Sequence, residues 1–226
     1  MSTRTLAFDE AVRNRFSSRA FLPTPLTEEQ IRQVLTDAQH SPSNCNTQPW
    51  HVHIASGKTK DTLEQAMIRN DQTDLVTPDF TFNYADFYGD YFDRSQEQAR
   101  IYYEALGVSR EDKAKRHEVY LRNFRFFGAP HVAFLFMPSF GDNVRVASDI
   151  GMYAQTFLLS LTARGYAGIP QTLLGFHADT VRKILNVSGQ YRLLFGISFG
   201  YADPNALTHH VRMERIPVDE SVILHN

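Results

Sequence analysis

At 226 residues the chain is long enough to bury one sizeable core, and its 23 Lys and Arg against 25 Asp and Glu leave a formal net charge of -2. That balance excludes a global field for nucleic acid or an anionic membrane, so any anion site must be local. The single cysteine, Cys45, excludes an internal disulfide, and no charged-then-apolar leader opens the chain. The most apolar stretch, Ile150 to Ala163, is interrupted by Gln155, Thr156, Ser160 and Thr162 and falls short of the roughly 20 apolar residues of a membrane span. A reducing cytoplasm is the expected home.

In chain order, Phe8, Val12 and Phe16 recur at helical spacing, which predicts a first helix. Pro23 and Pro25 force an extended link, after which Thr27-Glu-Glu-Gln30 reads as a capping box ahead of Ile31, Val34, Leu35 and Ala38. Trp50 to Ala55 reads as a strand ending in a turn at Ser56-Gly57-Lys58, and Thr59 to Arg69 as a helix. Residues 73 to 128 carry many aromatics among acids and amides, and read as an inserted helical lid whose rings mostly pack a satellite core, with a few bordering a channel.

Val132 to Met137, between Pro130 and Pro138, is apt for a buried strand. Asp149 is placed to cap a helix that ends at Gly165, and that helix is apolar enough to be buried on all sides, partly by a second subunit. Ala178 to Leu185 gives a further helix. Leu193 to Tyr201 reads as a central strand, with Gly196 and Gly200 leaving room for something close to the backbone. The tail ends in Ser-Val-Ile-Leu224, apolar residues that call for a partner surface. Helices of this number, mixed with about four strands in irregular order, predict an α+β class and one domain.

Two motifs carry chemistry. Arg15-Phe-Ser-Ser-Arg-Ala-Phe21 interleaves two guanidiniums and a hydroxyl, the groups that hold a phosphate. Ser41-Pro-Ser-Asn-Cys-Asn-Thr-Gln-Pro-Trp50 is a rigid ledge of short amides and hydroxyls able to read a planar, heteroatom-rich ligand. A phosphorylated aromatic cofactor is the ligand these suggest together. Neither GxGxxG nor GxxxxGKS/T occurs, and no Gly-x-Ser-x-Gly elbow is present. His51 and His53 share one strand face but lack a third metal ligand, and Cys45 has no cue for a histidine base.

Arg15-x-Ser17-x-Arg19-x-Phe21 followed by Pro42-Ser43-x-x-Asn46-x-Gln48-Pro-Trp50 resembles the FMN-dependent nitroreductase family. Ala167 to Phe176, Leu194 to Tyr201 and Arg212-x-x-Arg215-Ile-Pro217 fall where that family has corresponding elements, so the likeness spans nearly the whole chain. It implies a mixed, mainly antiparallel sheet of four to five strands surrounded by helices, in an intertwined homodimer. Arg15, Ser17 and Arg19 would hold the FMN phosphate and ribityl chain, with Arg215 closing the phosphate site. Pro42, Ser43, Asn44 and Asn46 would reach the flavin of the neighbouring subunit, and Gln171 would lie on the loop over the ring face. Arg122, Asn123 and Arg125 sit near a segment that touches the ribityl and pyrimidine side. Phe16 and Met213 depart from the family's habit of polar or basic residues there, and Arg212 is available to compensate.

The activity implied is reduction of nitroaromatic or quinone-like acceptors by NADH or NADPH in a ping-pong cycle, with no catalytic side chain and no metal. The same fold also admits a reductive dehalogenase, an activated-alkene reductase or a flavin-binding regulatory protein.

Overall fold

The computed structural model describes residues 5–225, so the outermost ends of the expected 1–226 span and of the tail lie outside it. Four strands, β1 (His51–Ser56), β2 (His131–Pro138), β3 (Ala167–Gln171) and β4 (Tyr191–Gly200), form one sheet in the order β1-β2-β4-β3. Every pair is antiparallel, with a register irregularity at Leu135/Phe136. The class is therefore the expected α+β, and the sheet is purely antiparallel. Gln171, expected on a loop, instead ends the edge strand Ala167 to Gln171, where Pro170 costs no ladder bond.

Alternation along β2 divides the core. Val132, Phe134 and Phe136 face one cluster with Leu63, Met67, Phe124, Phe126 and Val181. Ala133, Leu135 and Met137 face another with Val34, Ile150, Tyr153, Phe157 and Phe199. The first is covered by α3 (Gly57–Gln72), α5 (Lys113–Leu121) and α7 (Ala178–Leu185), the second by α2 (Glu28–Ala38) and α6 (Val144–Ala163). Among the described residues two further α-helices are α1 (Phe8–Asn14) and α4 (Gly89–Ala105).

The capping box at α2 forms as expected, with Gln30 N donating to Thr27 Oγ1 at 3.2 Å and Thr27 N to Gln30 Oε1 at 2.8 Å. Three expectations need correction. Helix α1 stops at Asn14, so Phe16 leaves the helix, and Phe8 is 77% exposed. Helix α6 begins at Val144, with Asn143 in the left-handed region at its start, so Asp149 lies inside the helix and does not cap it. Helix α6 is also not buried all round: Val144, Ser148, Gly151, Met152 and Gln155 form an exposed stripe along its first half. Gly165 does take the left-handed conformation expected at that helix's end, at φ 78°.

Gly196 is close to something, and that something is the protein itself. A Cβ there would meet Leu174 Cδ1 at 2.5 Å, so the turn after β3 packs flat on β4. In the 73–128 region, Phe124 and Phe126 enter the core, whereas Tyr84, Tyr88, Tyr91 and Phe92 stay exposed. The apolar tail residues Val218, Ile223 and Leu224 are exposed as well.

His131 is buried and locked as a neutral ring. Its Nε2 accepts from Leu26 N at 2.8 Å, so its proton is on Nδ1 and donates to Ser56 Oγ at 2.5 Å. Burial pushes both His131 and His177 below the ordinary histidine value. The unfolded chain therefore takes up protons that the native state refuses as pH falls through about 6.5. Stability measured by denaturant titration is expected to be level above that pH and to decline below it; a flat profile down to about pH 5 contradicts this reading of the two rings.

Candidate functional site

The end of α1 builds the first wall of a cleft. Arg15 is extended (φ -61°, ψ 124°), and the chain from there runs as an irregular strand along the sheet edge. Ser17 bridges to Gly168 in parallel and Phe21 to Ala202 in antiparallel sense. Gly168 lets α6 pack closely here: a Cβ would meet Leu158 Cδ2 at 2.8 Å and Leu161 Cδ1 at 3.0 Å, so those two side chains would have to shift. The result is a cleft of 810 Å³ walled by Arg15, Phe16, Ser17 and Arg19, by Gln155 and Leu158 of α6, by Pro170, and by Val211, Arg212, Met213 and Arg215 of the C-terminal segment.

Its lining is strongly cationic. Burial, then the charges of Arg215 and Arg212, push the Arg15 guanidinium below its usual value. Arg19 is lowered chiefly by burial, with Tyr102 opposing and Arg122 adding to the effect. Among the described residues none of Arg15, Arg19, Arg212 and Arg215 has an ion-pair partner, whereas Arg182 and Arg164 do. Guanidiniums that crowd one cavity repel each other, and an anion between them removes that cost.

A second cavity of 390 Å³ shares Arg19 and Pro170 with the first. Phe82, Tyr84, Tyr102, Tyr120 and Phe127 supply aromatic walls, and Asn123 and Gln171 supply amides. The Gln171 side chain is buried and saturated: Nε2 donates to Asn123 O at 3.0 Å, and Oε1 accepts from Ser198 Oγ. Gln171 thus ties the edge strand to residue 123. Arg122 stiffens the same corner by donating to Arg19 O at 2.6 Å, and Arg125 pairs with Glu118 at 3.2 Å.

The ledge is elsewhere. Pro42, Ser43, Asn44 and Asn46 line neither cavity. Their loop rests on α6 instead: Asn44 N donates to Asp149 Oδ1 at 3.1 Å and Oδ2 at 3.2 Å, and Ser41 Oγ to Thr156 Oγ1 at 2.9 Å. Cys45, Asn46 and Gln48 hold left-handed backbone, with φ of 51°, 57° and 47°. The Ser43 hydroxyl accepts from Gln48 N at 2.9 Å, and the Trp50 ring packs 5.1 Å from Tyr153. So Arg15, Ser17, Arg19 and Arg215 come together, Gln171 adjoins them through the shared wall, and the ledge presents its amides outward beside the exposed stripe of α6.

Sequence reasoning missed Asp149 as the loop's anchor, and its signal was a lone acid inside an apolar helix. Tyr102 was also missed; its ring lies 4.7 Å from the Arg19 guanidinium, and only its place among many aromatics marked it. His51 stacks on Tyr191 at 4.1 Å, and the described residues contain no cluster of metal-ligating side chains.

The molecule is thus a three-layer α+β fold with an arginine-walled cleft beside an aromatic one. Residues 12–201 match the Nitroreductase family. The chain is 42% identical over 215 residues to nitroreductase NfnB of Mycolicibacterium smegmatis, covering 95% of this chain and 91% of that protein. It is 32% identical over 217 residues to a 4-nitrobenzoate reductase of Pseudomonas putida, covering 95% and 94%. The structure of FMN-dependent nitroreductase NfnB from Mycobacterium smegmatis in complex with NADPH is similar at a TM-score of 0.93 and 41% identity, covering 96% of this chain and 97% of that one. The chain belongs to the nitroreductase family.

Proposed function

We propose that this protein is an FMN-dependent oxidoreductase that uses NADPH to reduce nitroaromatic acceptors, and the observation that carries the reading is the convergence of Arg15, Arg19, Arg212 and Arg215 on one cleft. The donor set fits FMN: several guanidiniums and the Ser17 hydroxyl suit a phosphate leaving water, and the adjoining aromatic cavity suits a planar ring. When bound, FMN supplies the redox chemistry between nicotinamide and acceptor. Arg15, Ser17, Arg19 and Arg215 hold the phosphate end. The corner of Arg122, Asn123 and Gln171 keeps the edge strand at a set distance from the ring, and the aromatic walls exclude water and stack electron-poor acceptors. Residues 73–128 act as the lid over that cavity within a single domain. None of the chain's own side chains is needed as an acid or base.

The test is anaerobic mixing of the purified yellow protein with NADPH, then with 4-nitrobenzoate. Expected are loss of the oxidised flavin absorbance and its return on addition of the acceptor. Flavin that stays oxidised points to a binding protein, and reduced flavin that answers only to a halogenated or alkene acceptor points to another chemistry of the same fold.

The active unit is a homodimer. Support comes from the outward-facing ledge of Pro42, Ser43, Asn44 and Asn46, the exposed stripe of α6, and the exposed apolar side chains of α1 and the tail. In a two-fold pair the ledge reaches the partner's flavin. Sedimentation is expected to give twice the chain mass, with Met152→Glu yielding a monomer that loses FMN. A wild-type monomer that keeps its flavin overturns the assignment. Among the described residues no helix is long and apolar enough to cross a membrane, and the free exposed Cys45 suits the reducing cytoplasm, where we place the protein.

A further inference from the structure

Beside the aromatic cavity lies a third space, of 270 Å³, with a different lining. Phe80 and Phe82 wall one side, Phe176 a second, and Leu194 and Phe195 of β4 a third. Among the described residues, Thr81 and Thr172 supply its only side-chain polar atoms, and no charged side chain lines it. The 390 Å³ cavity next to it has Arg19, Asn123 and Gln171 in its wall. Phe82 and Thr172 line both, so the two spaces adjoin.

The backbone on either side of this space is pinned. Asp79, just ahead of Phe80, is bound by Arg182, by Arg192 at 3.2 Å and by Leu193 N at 2.7 Å. Thr77 N donates to Phe176 O at 2.8 Å, and Asp179 N to Thr77 Oγ1 at 3.3 Å. Opposite them, Gly175 lies so near β4 that a Cβ would meet Leu194 O at 2.8 Å. With both sides held, the space does not close up as an ordinary protein interior does. Phe82 stands at the boundary, its ring centred 6.1 Å from Phe176 and 4.8 Å from Tyr84, and Thr81 is exposed at the rim.

Apolar walls kept from packing on each other gain from an apolar guest. Two hydroxyls and no charge make a poor site for a carboxylate or a phosphate. The volume is that of about nine waters at ~30 Å³ each, enough for an alkyl chain of a few carbons.

We propose that this space is a specificity pocket for an apolar arm of the acceptor. The nitroaryl ring lies in the aromatic cavity, and an alkyl substituent passes Phe82 to lie among Phe80, Phe176 and Phe195. The proposal rests on the reading of the protein as a nitroaromatic reductase, and it names the class of acceptor: alkyl-substituted nitroarenes. The arm takes no part in electron transfer, so its burial lowers KM and leaves kcat as it was.

The test gives the flavin-loaded protein NADPH and a series of 4-nitrobenzoate esters, methyl to hexyl, whose nitro groups are electronically alike. Along the series kcat/KM should rise about three- to fourfold per added methylene, through KM, and level off once the pocket is full. Leu194→Phe fills the pocket from the β4 side and should flatten the series. The readout is the ratio of long to short ester within one variant, so a general loss of activity cancels. Thr81→Trp, at the exposed rim, should flatten it likewise and answers the question if Leu194→Phe does not fold. Calorimetric titration with methyl and butyl benzoate, which carry no nitro group, reads the preference without turnover. The butyl ester should bind about tenfold or more tightly, with the more negative heat-capacity change.

A flat ester series in an active wild type overturns the pocket and leaves the nitroreductase reading standing. A rise that survives both substitutions places the arm elsewhere and overturns the pocket as well. Failure to reduce any ester, with butyl benzoate still preferred and that preference lost in Leu194→Phe, overturns the nitroreductase reading and keeps the apolar site. Neither turnover nor a preference for the butyl ester overturns both.

Discussion

Replacing Arg15 and Arg215 together by alanine is expected to lower FMN affinity by about a hundredfold or more while leaving the flavin-free protein at least as stable as before. The two effects have opposite signs for one reason. In the absence of an anion, Arg15 is depressed by burial and by the neighbouring Arg215 and Arg212, so its charge is a cost to the fold. With a phosphate in the cleft the same charges become donors of charge-assisted hydrogen bonds, each contributing roughly 1.5–3 kcal/mol when shielded and less at the exposed Arg215. Thermal unfolding reads both: the midpoint without FMN stays or rises, and the upward shift that FMN produces in the parent, about 2.7 kcal/mol at a hundredfold excess over Kd, disappears. An unchanged FMN-induced shift would falsify the phosphate assignment.

The largest stability effect belongs to Asp79. Its side chain is 3% exposed, yet it is charged and fully served: it pairs with Arg182, meets Arg192 at 3.2 Å, and accepts from Leu193 N at 2.7 Å. Burial alone would raise its pKa, but the hydrogen bonds from Arg182, Leu193 and Arg192 outweigh that and hold it below the usual carboxylate range. Asp79→Ala should cost roughly 3–5 kcal/mol, because it strands Arg182, which has 14% of its side chain exposed, and a buried backbone N–H. Asp79→Asn keeps an acceptor for Leu193 and should cost less. Because the native pKa is depressed, the contribution is whole above the ordinary carboxylate range and is lost as pH falls through the native value. The carboxylate also clasps the segment that carries Phe82 into the aromatic cavity, alongside Thr77 N to Phe176 O at 2.8 Å. Acceptor preference should therefore shift with stability. A denaturation midpoint for Asp79→Ala within about 1 kcal/mol of the parent sinks the assignment.

Much of the architecture was legible where the cause is local. Thr27 and Gln30 cap one another across three residues, the run from Val132 to Met137 fills both faces of a central strand, and Gly165 ends a helix in the left-handed region. That Arg15, Ser17 and Arg19 line one cleft was legible because a single short stretch carries all three groups. Other elements were hidden because their cause is remote. The edge strand at Ala167 exists through its ladder with β4, and nothing in Ala-Gly-Ile-Pro-Gln by itself distinguishes strand from turn. Asp149 looked like a cap until its partner proved to be the Asn44 N–H, 105 residues away. Phe16 matched a helical stripe, but the sheet edge at Gly168 captures the next residue and unwinds the chain before it.

The amino-acid sequence by itself determined the class of fold and the family, and it singled out arginines that meet at one cleft, since those follow from short-range patterns of polarity, glycine and guanidinium. Only the tertiary structure decided that Arg212 joins them on the Phe16 ring, that Gln171 spends its side chain on the scaffold, and that the amide ledge faces away from its own chain's cleft. These depend on which distant segments meet, and that is set by the packing of the whole sheet and α6 and by no local preference.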